Sequence, residues 1–335
     1  MSGTMKKSYF INLVGVLLLF LIIMGIFDSG ILGAKTNYIM GIAVIAMMTI
    51  IIVCSLNLLT GYMGEFSLGH AGFMSIGAYA SAVVTIAMIN AGVTLPTVVY
   101  FLIAILVGGI ASGIMGFVVG IPALRLRGDY LAIVTVAFAE IVRVAFTNFQ
   151  ITGGGKTLSG IPKISDYHYI YVVMVICVTL MYMYVRSRFG RAVIAIREDY
   201  IAAAASGINV TYYKVMTFVL SAFFAGVAGA IYSHYMTAII PTYFNFMKSS
   251  EFLTMVILGG TGSLTGSIIG AAVLAALPEV LRDFQIYRML MYSVVLVIIM
   301  IFKPSGIFGT YEFSLTRALT KPFHKKAKKG GAANE

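Results

Sequence analysis

Long apolar runs, each close to the length of a membrane-spanning helix, constrain this chain more than any other feature. A helix needs about 20 apolar residues to cross the hydrocarbon core of a bilayer. Because 60% of the residues are hydrophobic and only 10% are charged, lipid must surround most of the surface. The sequence therefore predicts an all-α, polytopic helix bundle with about eight full crossings. The runs lie at 10–27, 38–59, 73–89, 98–121, 130–149, 169–185, 215–239 and 290–302.

A secreted protein with a cleaved signal peptide and a nucleic-acid-binding protein are both disfavoured. The run 10–27 follows Lys6 and Lys7 as in a signal peptide, but it is long for one and lacks a good cleavage pattern. We therefore expect a true first crossing. The net charge of +11 does not indicate nucleic-acid binding, because the basic residues lie between apolar runs or in the tail, where they orient a membrane protein.

The segment 251–278 is too long for one upright crossing and has Gly, Ser and Thr at its centre. Gly259, Gly260, Gly262 and Gly266 should break it into two half-helices. If the segment enters the membrane and returns, most lysines and arginines fall on the inside; if it crosses, they divide equally. The positive-inside bias favours the re-entrant arrangement, with both termini in the cytoplasm.

A second apolar segment, 61–79, is interrupted by several glycines and carries polar residues. Irregular backbone at membrane depth is tolerated only inside the protein or beside a water-filled cavity. Two interrupted helices in opposite halves of a transporter point to a translocation path. The alternative is that the glycines only allow close helix packing. The glycines are Gly61, Gly64, Gly69, Gly72 and Gly77, and the candidate pathway residues are Glu65, Ser67, His70, Gly260, Gly262 and Ser263.

Glu140 and Arg143 are charged residues inside one predicted crossing. Their spacing of three places them on the same helix face, where they can pair and lower the cost of leaving water. We expect the pair to face the bundle interior. A structural role and a pathway role are both open at this stage, and a position of Arg143 near the outer interface would favour the structural role.

The longest polar stretch between crossings, 186–213, cannot lie in lipid because it carries four arginines, Glu198 and Asp199. Its centre, 190–207, is rich in helix formers and ends at a glycine, which predicts one short helix. Such a helix on the cytoplasmic face could fit a groove on another protein. The alternative is an amphipathic loop on the lipid headgroups.

These observations divide the chain into two parts. Residues 1–310 form the transmembrane domain, with 186–213 as its cytoplasmic loop, and residues 311–335 form a basic cytoplasmic tail.

Several segments, taken together and in order, resemble the LivM-type permease subunits of branched-chain amino acid ABC importers. The resemblance covers nearly the whole chain, from about 56 to 308. The segments are LNLLTGYMGEFSLGHAGFMSIGAYASA, PALRLRGDYLAIVT, TGGGKTLSGIP, GRAVIAIREDYIAAAASGINV, LSAFFAGVAGAIY and VILGGTGSLTGSIIGA. Glu65 departs from the family pattern, in which this position usually carries a neutral residue such as an amide.

The resemblance implies a role for the polar loop. In the family this loop is the helix that docks on the ATPase subunit. Six residues are assigned to it on that basis: Gly190, Arg197, Glu198, Ala204, Gly207 and Asn209.

The resemblance also implies the partners, the location and the cargo. The partners would be a homologous permease subunit, two ABC ATPase subunits and an extracytoplasmic amino-acid-binding protein, in a bacterial inner or plasma membrane. Leucine, isoleucine or valine would be carried by alternating access. The chain itself would be neither an enzyme nor a cofactor protein, since the ATP is bound by the partners.

Three other functions compete with this interpretation. The same machine could carry urea, short amides or other amino acids. An ion-coupled carrier is suggested by Glu65, His70 and Glu140. An intramembrane enzyme is disfavoured, because the sequence has no convincing nucleophile and base or metal motif. Gly155, Lys156 and Thr157 imitate a phosphate-binding loop, but its leading glycine is missing.

Overall fold

The computed structural model describes residues 36–126, 128–281 and scattered positions between 284 and 309. The chain forms two compact units. One comprises 41–311, and the other comprises 1–40 with 312–335, of which only 36–40 are described. The predicted first crossing at 10–27 and the predicted basic tail therefore lie outside the described residues, and the run 290–302 is described only in part.

The described part of the chain is helical, which confirms the predicted all-α class. It contains no strand apart from one isolated antiparallel bridge between Leu158 and Ile239. Two 3-10 turns, Gln150–Thr152 and Pro241–Tyr243, lie in the connections, and a π-helical turn, Leu58–Met63, follows the first helix. The α-helices are α1 Thr36–Asn57, α2 His70–Asn90, α3 Thr97–Ala123, α4 Asp129–Asn148, α5 Tyr167–Arg186, α6 Arg188–Glu198, α7 Tyr200–Ala205, α8 Val210–Met236, α9 Phe246–Gly259 and α10 Leu264–Val280.

Six helices in the described residues are long and apolar enough to cross a membrane. They match the six predicted crossings from 38–59 to 215–239, so these six predictions are confirmed as helices. The described positions between 290 and 302 are also helical. The six helices are Tyr38–Met63, His70–Asn90, Thr97–Ala123, Asp129–Asn148, Tyr167–Arg186 and Val210–Met236.

Glycines let α2, α3 and α8 pack with their backbones in contact. A Cβ atom on Gly77 of α2 would lie 2.4 Å from the Cα of Gly226 in α8. A Cβ on Gly226 would lie 2.4 Å from the carbonyl oxygen of Gly108 in α3. Such small-residue contacts replace the hydrophobic effect as the source of helix association in lipid. Gly77 was one of the glycines expected to interrupt the segment 61–79. It lies inside an unbroken helix, so at this position the alternative, that the glycine allows close helix packing, is correct.

Side-chain hydrogen bonds fix the relative direction of these helices. His70 at the start of α2 bonds Ser221 of α8 at 3.0 Å, and Thr85 near the end of α2 bonds His234 of α8 at 3.0 Å. The two helices therefore run parallel. The outward face of α3 carries a stripe of apolar residues that are 51–58% exposed, as expected for contact with lipid: Leu102, Leu106, Ile110, Ile114 and Phe117.

The segment 251–278 forms two antiparallel helices, which confirms the predicted half-helices. The break covers 260–263, between α9 and α10. A Cβ on Gly259 would lie 2.4 Å from the carbonyl oxygen of Gly266, and one on Gly270 would lie 2.9 Å from that of Met255. Gly259 and Gly266 were expected to break the helix, but they lie within α9 and α10 and allow the two helices to pack closely. At about 1.5 Å per residue, the 14 residues of α9 are too few to cross a bilayer.

Candidate functional site

The first helix break lies where the predicted interrupted segment 61–79 begins. Gly64 ends the π-helical turn in a left-handed conformation with φ 77°, which glycine adopts without strain. The chain is then non-helical until His70. Gly72 lies inside α2, where a Cβ would be 2.8 Å from the Cα of Ala139. Only the first part of this glycine-rich segment is therefore a break.

Asn57 joins this break to the one between α9 and α10. Its buried Nδ2 donates to the carbonyl oxygen of Ser263 at 2.9 Å and to Ser267 Oγ at 2.7 Å. The backbone N–H of Gly262 donates to Asn57 Oδ1 at 3.0 Å. A Cβ on Gly61 would lie 2.2 Å from the nitrogen of Gly262, so the two backbones touch. The two interrupted helices thus meet in one place, which we call the junction (Asn57, Gly61, Gly262 and Ser263).

Asn57 was not among the residues selected from the sequence. A signal existed, because an amide inside an apolar run is costly in lipid and must find partners. Those partners lie more than 200 positions away along the chain, however. No local pattern could identify them.

Arg197 connects the polar loop to the junction. Its Nη1 donates to the carbonyl oxygen of Gly61 at 2.7 Å. A Cβ on Gly64 would lie 2.7 Å from Arg197 Cγ, and one on Gly262 would lie 3.5 Å from Arg197 Nη1. The guanidinium also pairs with Glu198, to which Nε donates at 3.1 Å. Both helix breaks therefore contact one side chain of α6.

The polar loop forms two short helices, so the prediction of one helix over 190–207 is wrong. α6 ends at Glu198, and Asp199 begins α7 by accepting hydrogen bonds from the N–H groups of Ile201 at 2.8 Å and Ala202 at 3.0 Å. An aspartate in this position is a strong helix N-cap. Ser187 caps α6 in the same way, accepting from Gly190 N at 3.3 Å.

The six residues assigned to the loop by resemblance occupy different environments. A Cβ on Gly190 would lie 2.1 Å from the carbonyl oxygen of Val185, so the glycine is required for the turn after α5. Asn209 Oδ1 caps α8 by accepting from Tyr212 N at 3.1 Å. Glu198, Ala204 and Gly207 are exposed. Gly207 has φ 83° and no atom within 4 Å of an added Cβ.

Glu65 lies beside the junction and pairs with Lys214 in the first turns of α8. The side chains are only 11% and 16% exposed. The ion pair therefore ties the first break to the helix that follows the polar loop. Sequence reasoning missed Lys214, because it is an ordinary-looking basic residue near a helix start.

Ser67, just before α2, and His70, its first residue, are buried. His70 Nε2 bonds Ser221 Oγ at 3.0 Å. Among the described residues, His70 Nδ1 and Ser67 Oγ have no hydrogen-bond partner. The N–H of Ala71 donates to Ser249 Oγ of α9 at 3.0 Å, so the start of α2 is attached to the half-helix α9.

Glu140 and Arg143 form the predicted ion pair, with Nε donating to Oε2 at 2.7 Å. Their side chains are 37% and 29% exposed. The pair therefore lies at the edge of the bundle, not in its buried core as expected. Within the described ranges, no group of three or more His, Cys, Asp or Glu could hold a metal ion.

Comparison with known proteins identifies the family of the chain. The family model described as branched-chain amino acid transport system / permease component matches residues 38–303. No solved structure matches.

Curated relatives cover most of the chain. The high-affinity branched-chain amino acid transport system permease protein LivM of Salmonella typhimurium is 36% identical over 301 residues, covering 79% of this chain and 69% of that protein. LivM of Escherichia coli is 34% identical over 329 residues, covering 88% and 73%. The permease protein LivH of Escherichia coli is 32% identical over 147 residues, covering 43% and 47%. The resemblance to LivM-type permeases is thereby confirmed, and the chain belongs to the family of branched-chain amino acid transport system permease components.

Proposed function

We propose that this chain is one of two permease subunits of an ATP-driven importer for leucine, isoleucine and valine. The names of its relatives support the cargo class and the role of permease. The contact of Arg197 with both helix breaks carries the mechanism. In this proposal, ATPase subunits press on α6 and α7 from the cytoplasm, and Arg197 transmits the movement to the junction.

The exposed residues of the loop suit a docking surface. Ala204 on α7 and Gly207 just after it are exposed and small, so a partner groove can approach this surface closely. Glu198 at the end of α6 adds an exposed charge. Ser187 and Asp199 fix the starts of both helices by side-chain caps. A capped helix resists fraying and can therefore move as a rigid lever.

The junction suits a gate because Asn57 holds both breaks at once. A displacement of Gly61 by Arg197 must act on Gly262, since the two backbones are in contact. The ion pair of Glu65 and Lys214 would open and close with the same movement. Because it is nearly buried, its charges need each other or water, which favours two discrete states over a gradual change.

Membership of the family supports the remaining partners of the proposed importer. A homologous permease such as the LivH relative would complete the path, an extracytoplasmic binding protein would deliver the amino acid, and the two ATPases would hold all bound ATP. We place the chain in a bacterial inner membrane, with both termini on the cytoplasmic side. In support of the placement of the C-terminus, a Cβ on Gly306, which follows the last apolar run, would lie 2.6 Å from the Cα of Gly260. That contact lies at the end of the bundle to which Arg197 belongs.

The test is ATP-driven leucine uptake into proteoliposomes that contain the chain with its operon partners. Arg197→Ala should abolish most uptake while the complex still assembles and hydrolyses ATP. The matched control is Arg191→Ala on the same helix. Among the described residues, Arg191 Nη1 bonds only the carbonyl oxygen of Arg186, at 3.1 Å. Uptake by Arg197→Ala at the level of the unaltered chain would contradict the proposal, and Arg191→Ala measures how much of any loss comes from removing a charge from α6. Uptake by the chain alone, driven by an ion gradient, would favour the ion-coupled carrier.

A further inference from the structure

A cavity of about 180 Å³ lies between α1, α2, α9 and α10, next to the junction. Ile52 lines it and precedes Asn57 along α1 by about 7.5 Å at 1.5 Å per residue. Met255 lines it and precedes Gly259 by one turn of α9. Since Arg197 contacts Gly61 beyond Asn57, the cavity and α6 lie on opposite sides of the junction.

Most of the residues that line the cavity are apolar. Met48 and Ile52 of α1, Met74 of α2, Phe252 of α9 and Leu274 of α10 contribute to it. Unbranched methionine side chains adapt to ligands of different shape. The apolar part of the wall suits an aliphatic group, and a small polar amide such as urea has no apolar group to place against it.

One end of the cavity carries a cation and an anion. Lys248 Nζ donates to Glu251 Oε2 at 2.8 Å across one turn of α9. Their side chains are 22% and 36% exposed. The Lys248 ammonium lies 5.3 Å from the ring centre of Tyr243 and 5.4 Å from that of Phe252, which holds it over two aromatic faces. Burial, and then the Glu251 carboxylate, raise the pKa of Tyr243 to about 12, so this phenol remains an uncharged donor.

We propose that this cavity binds the transported α-amino acid as a zwitterion, a proposal that rests on the function proposed above. Lys248 binds the carboxylate, Glu251 binds the ammonium group, and the aliphatic side chain lies among Met48, Ile52 and Leu274. Lys248 and Glu251, with opposite charges on one turn of α9, match the carboxylate and the ammonium group that an amino acid carries on its Cα. On binding, Lys248 exchanges the Glu251 carboxylate for the ligand carboxylate, and Glu251 exchanges the Lys248 ammonium for that of the ligand. Because each charge is paired before and after, the electrostatic gain from binding is small. A weak site of this kind allows release, as transport requires.

The probe is photo-leucine, a leucine analogue with a diazirine in its side chain. The purified full-length chain in lipid nanodiscs is irradiated with the probe, without ATP or ATPases, and the labelled peptides are mapped by mass spectrometry. We expect labels on α1 and α9 around Met48 and Phe252, removed by excess leucine. Isopentylamine, which lacks the carboxylate, 4-methylpentanoate, which lacks the ammonium group, and urea should compete at least about tenfold more weakly.

Variants check the same point from the protein side. Lys248→Met and Glu251→Gln should each weaken labelling by about tenfold or more, since each removes one charge-assisted partner. Ala275→Leu fills the cavity without changing charge and should also reduce labelling. The matched control is Lys163→Met, since Lys163 also lies over a tyrosine ring, at 5.9 Å from the centre of Tyr235, but does not line the cavity.

The outcomes separate this site from the transport proposal. Labels elsewhere on the chain, or equal competition by 4-methylpentanoate and leucine, would overturn the site even if the assembled importer carries leucine. Labels on α1 and α9 that excess leucine removes would support the site. If the assembled complex then showed no ATP-driven uptake of leucine, the importer proposal would be contradicted while the site stood. Because the ligand series uses unaltered protein, misfolding of a variant cannot imitate either result.

Discussion

Asn57 Oδ1 accepts a hydrogen bond from the backbone N–H of Gly262 at 3.0 Å, and this contact joins the two interrupted helices of the bundle. The same amide donates to the carbonyl oxygen of Ser263 in the break and to Ser267 Oγ in the first turn of α10. An amide used in this way replaces the helical hydrogen bonds that the break has lost. The contact therefore compensates for the irregular backbone at the junction.

Replacing Asn57 by alanine should destabilise the protein by about 1–3 kcal/mol, because the N–H of Gly262 loses its partner. The carbonyl oxygen of Ser263 and the hydroxyl of Ser267 each lose one bond but still bond each other. A lower midpoint of thermal unfolding in detergent measures the loss. Asn148→Ala is the control, since the exposed Asn148 side chain bonds only the carbonyl oxygen of Val144 in its own helix, at 2.8 Å. Equal unfolding midpoints for the two variants would show that the junction contributes no stability.

Removing one partner of the Glu65–Lys214 pair should cost more than removing both. Glu65→Gln or Lys214→Met leaves a nearly buried charge without its counter-ion, at about 3 kcal/mol, whereas the double variant should recover part of the loss. A double-mutant cycle on thermal unfolding measures the coupling. The same cycle on Glu140 and Arg143, which are about one-third exposed, should give less than about 1 kcal/mol. Additive losses for Glu65 and Lys214 would refute the pairing.

Changes on the exposed loop should uncouple ATP hydrolysis from uptake while the protein still inserts. Glu198→Lys places a cation beside Arg197 and repels it from its bonded position. Gly207→Leu adds a bulky side chain at a surface position with φ 83°, where side chains are also strained. Gly207→Asn tolerates this φ and serves as the control for strain. ATP-dependent leucine uptake at the normal rate in Glu198→Lys and Gly207→Leu would contradict the docking assignment.

Cysteine labelling should place the loop on the cytoplasmic side. Ala204→Cys introduces an exposed thiol on α7, whereas the native Cys54 and Cys177 are buried and should react slowly. A membrane-impermeant maleimide should label Ala204→Cys in inside-out vesicles and leave it unlabelled in intact cells. The unaltered chain gives the background. Rapid labelling from outside the cell would invert the topology and remove the mechanism with it.

The sequence was sufficient for features that depend on local composition. Apolar runs identified the crossings of the described bundle, and the glycine cluster identified the break at 260–263. The division of the polar loop into α6 and α7 was also accessible, since Asp199 is a strong cap followed by helix formers, but the run of alanines suggested one continuous helix.

Features that depend on distant contacts could not be predicted. Arg197 was assigned to a partner surface, yet its guanidinium reaches Gly61, 136 positions away. Helix periodicity gives the face on which a residue lies, but not which backbone carbonyl meets it. The cavity lined by Lys248 was missed for the same reason, because its walls come from four helices.

The backbone contacts among Gly77, Gly108 and Gly226 leave no room between α2, α3 and α8 for even a methyl group. We therefore expect these three helices to move as one rigid body, against which the hairpin of α9 and α10 can pivot. In the importer proposed above, a push on α6 would then deform only the few backbone bonds of the junction and would not spread through the rest of the bundle.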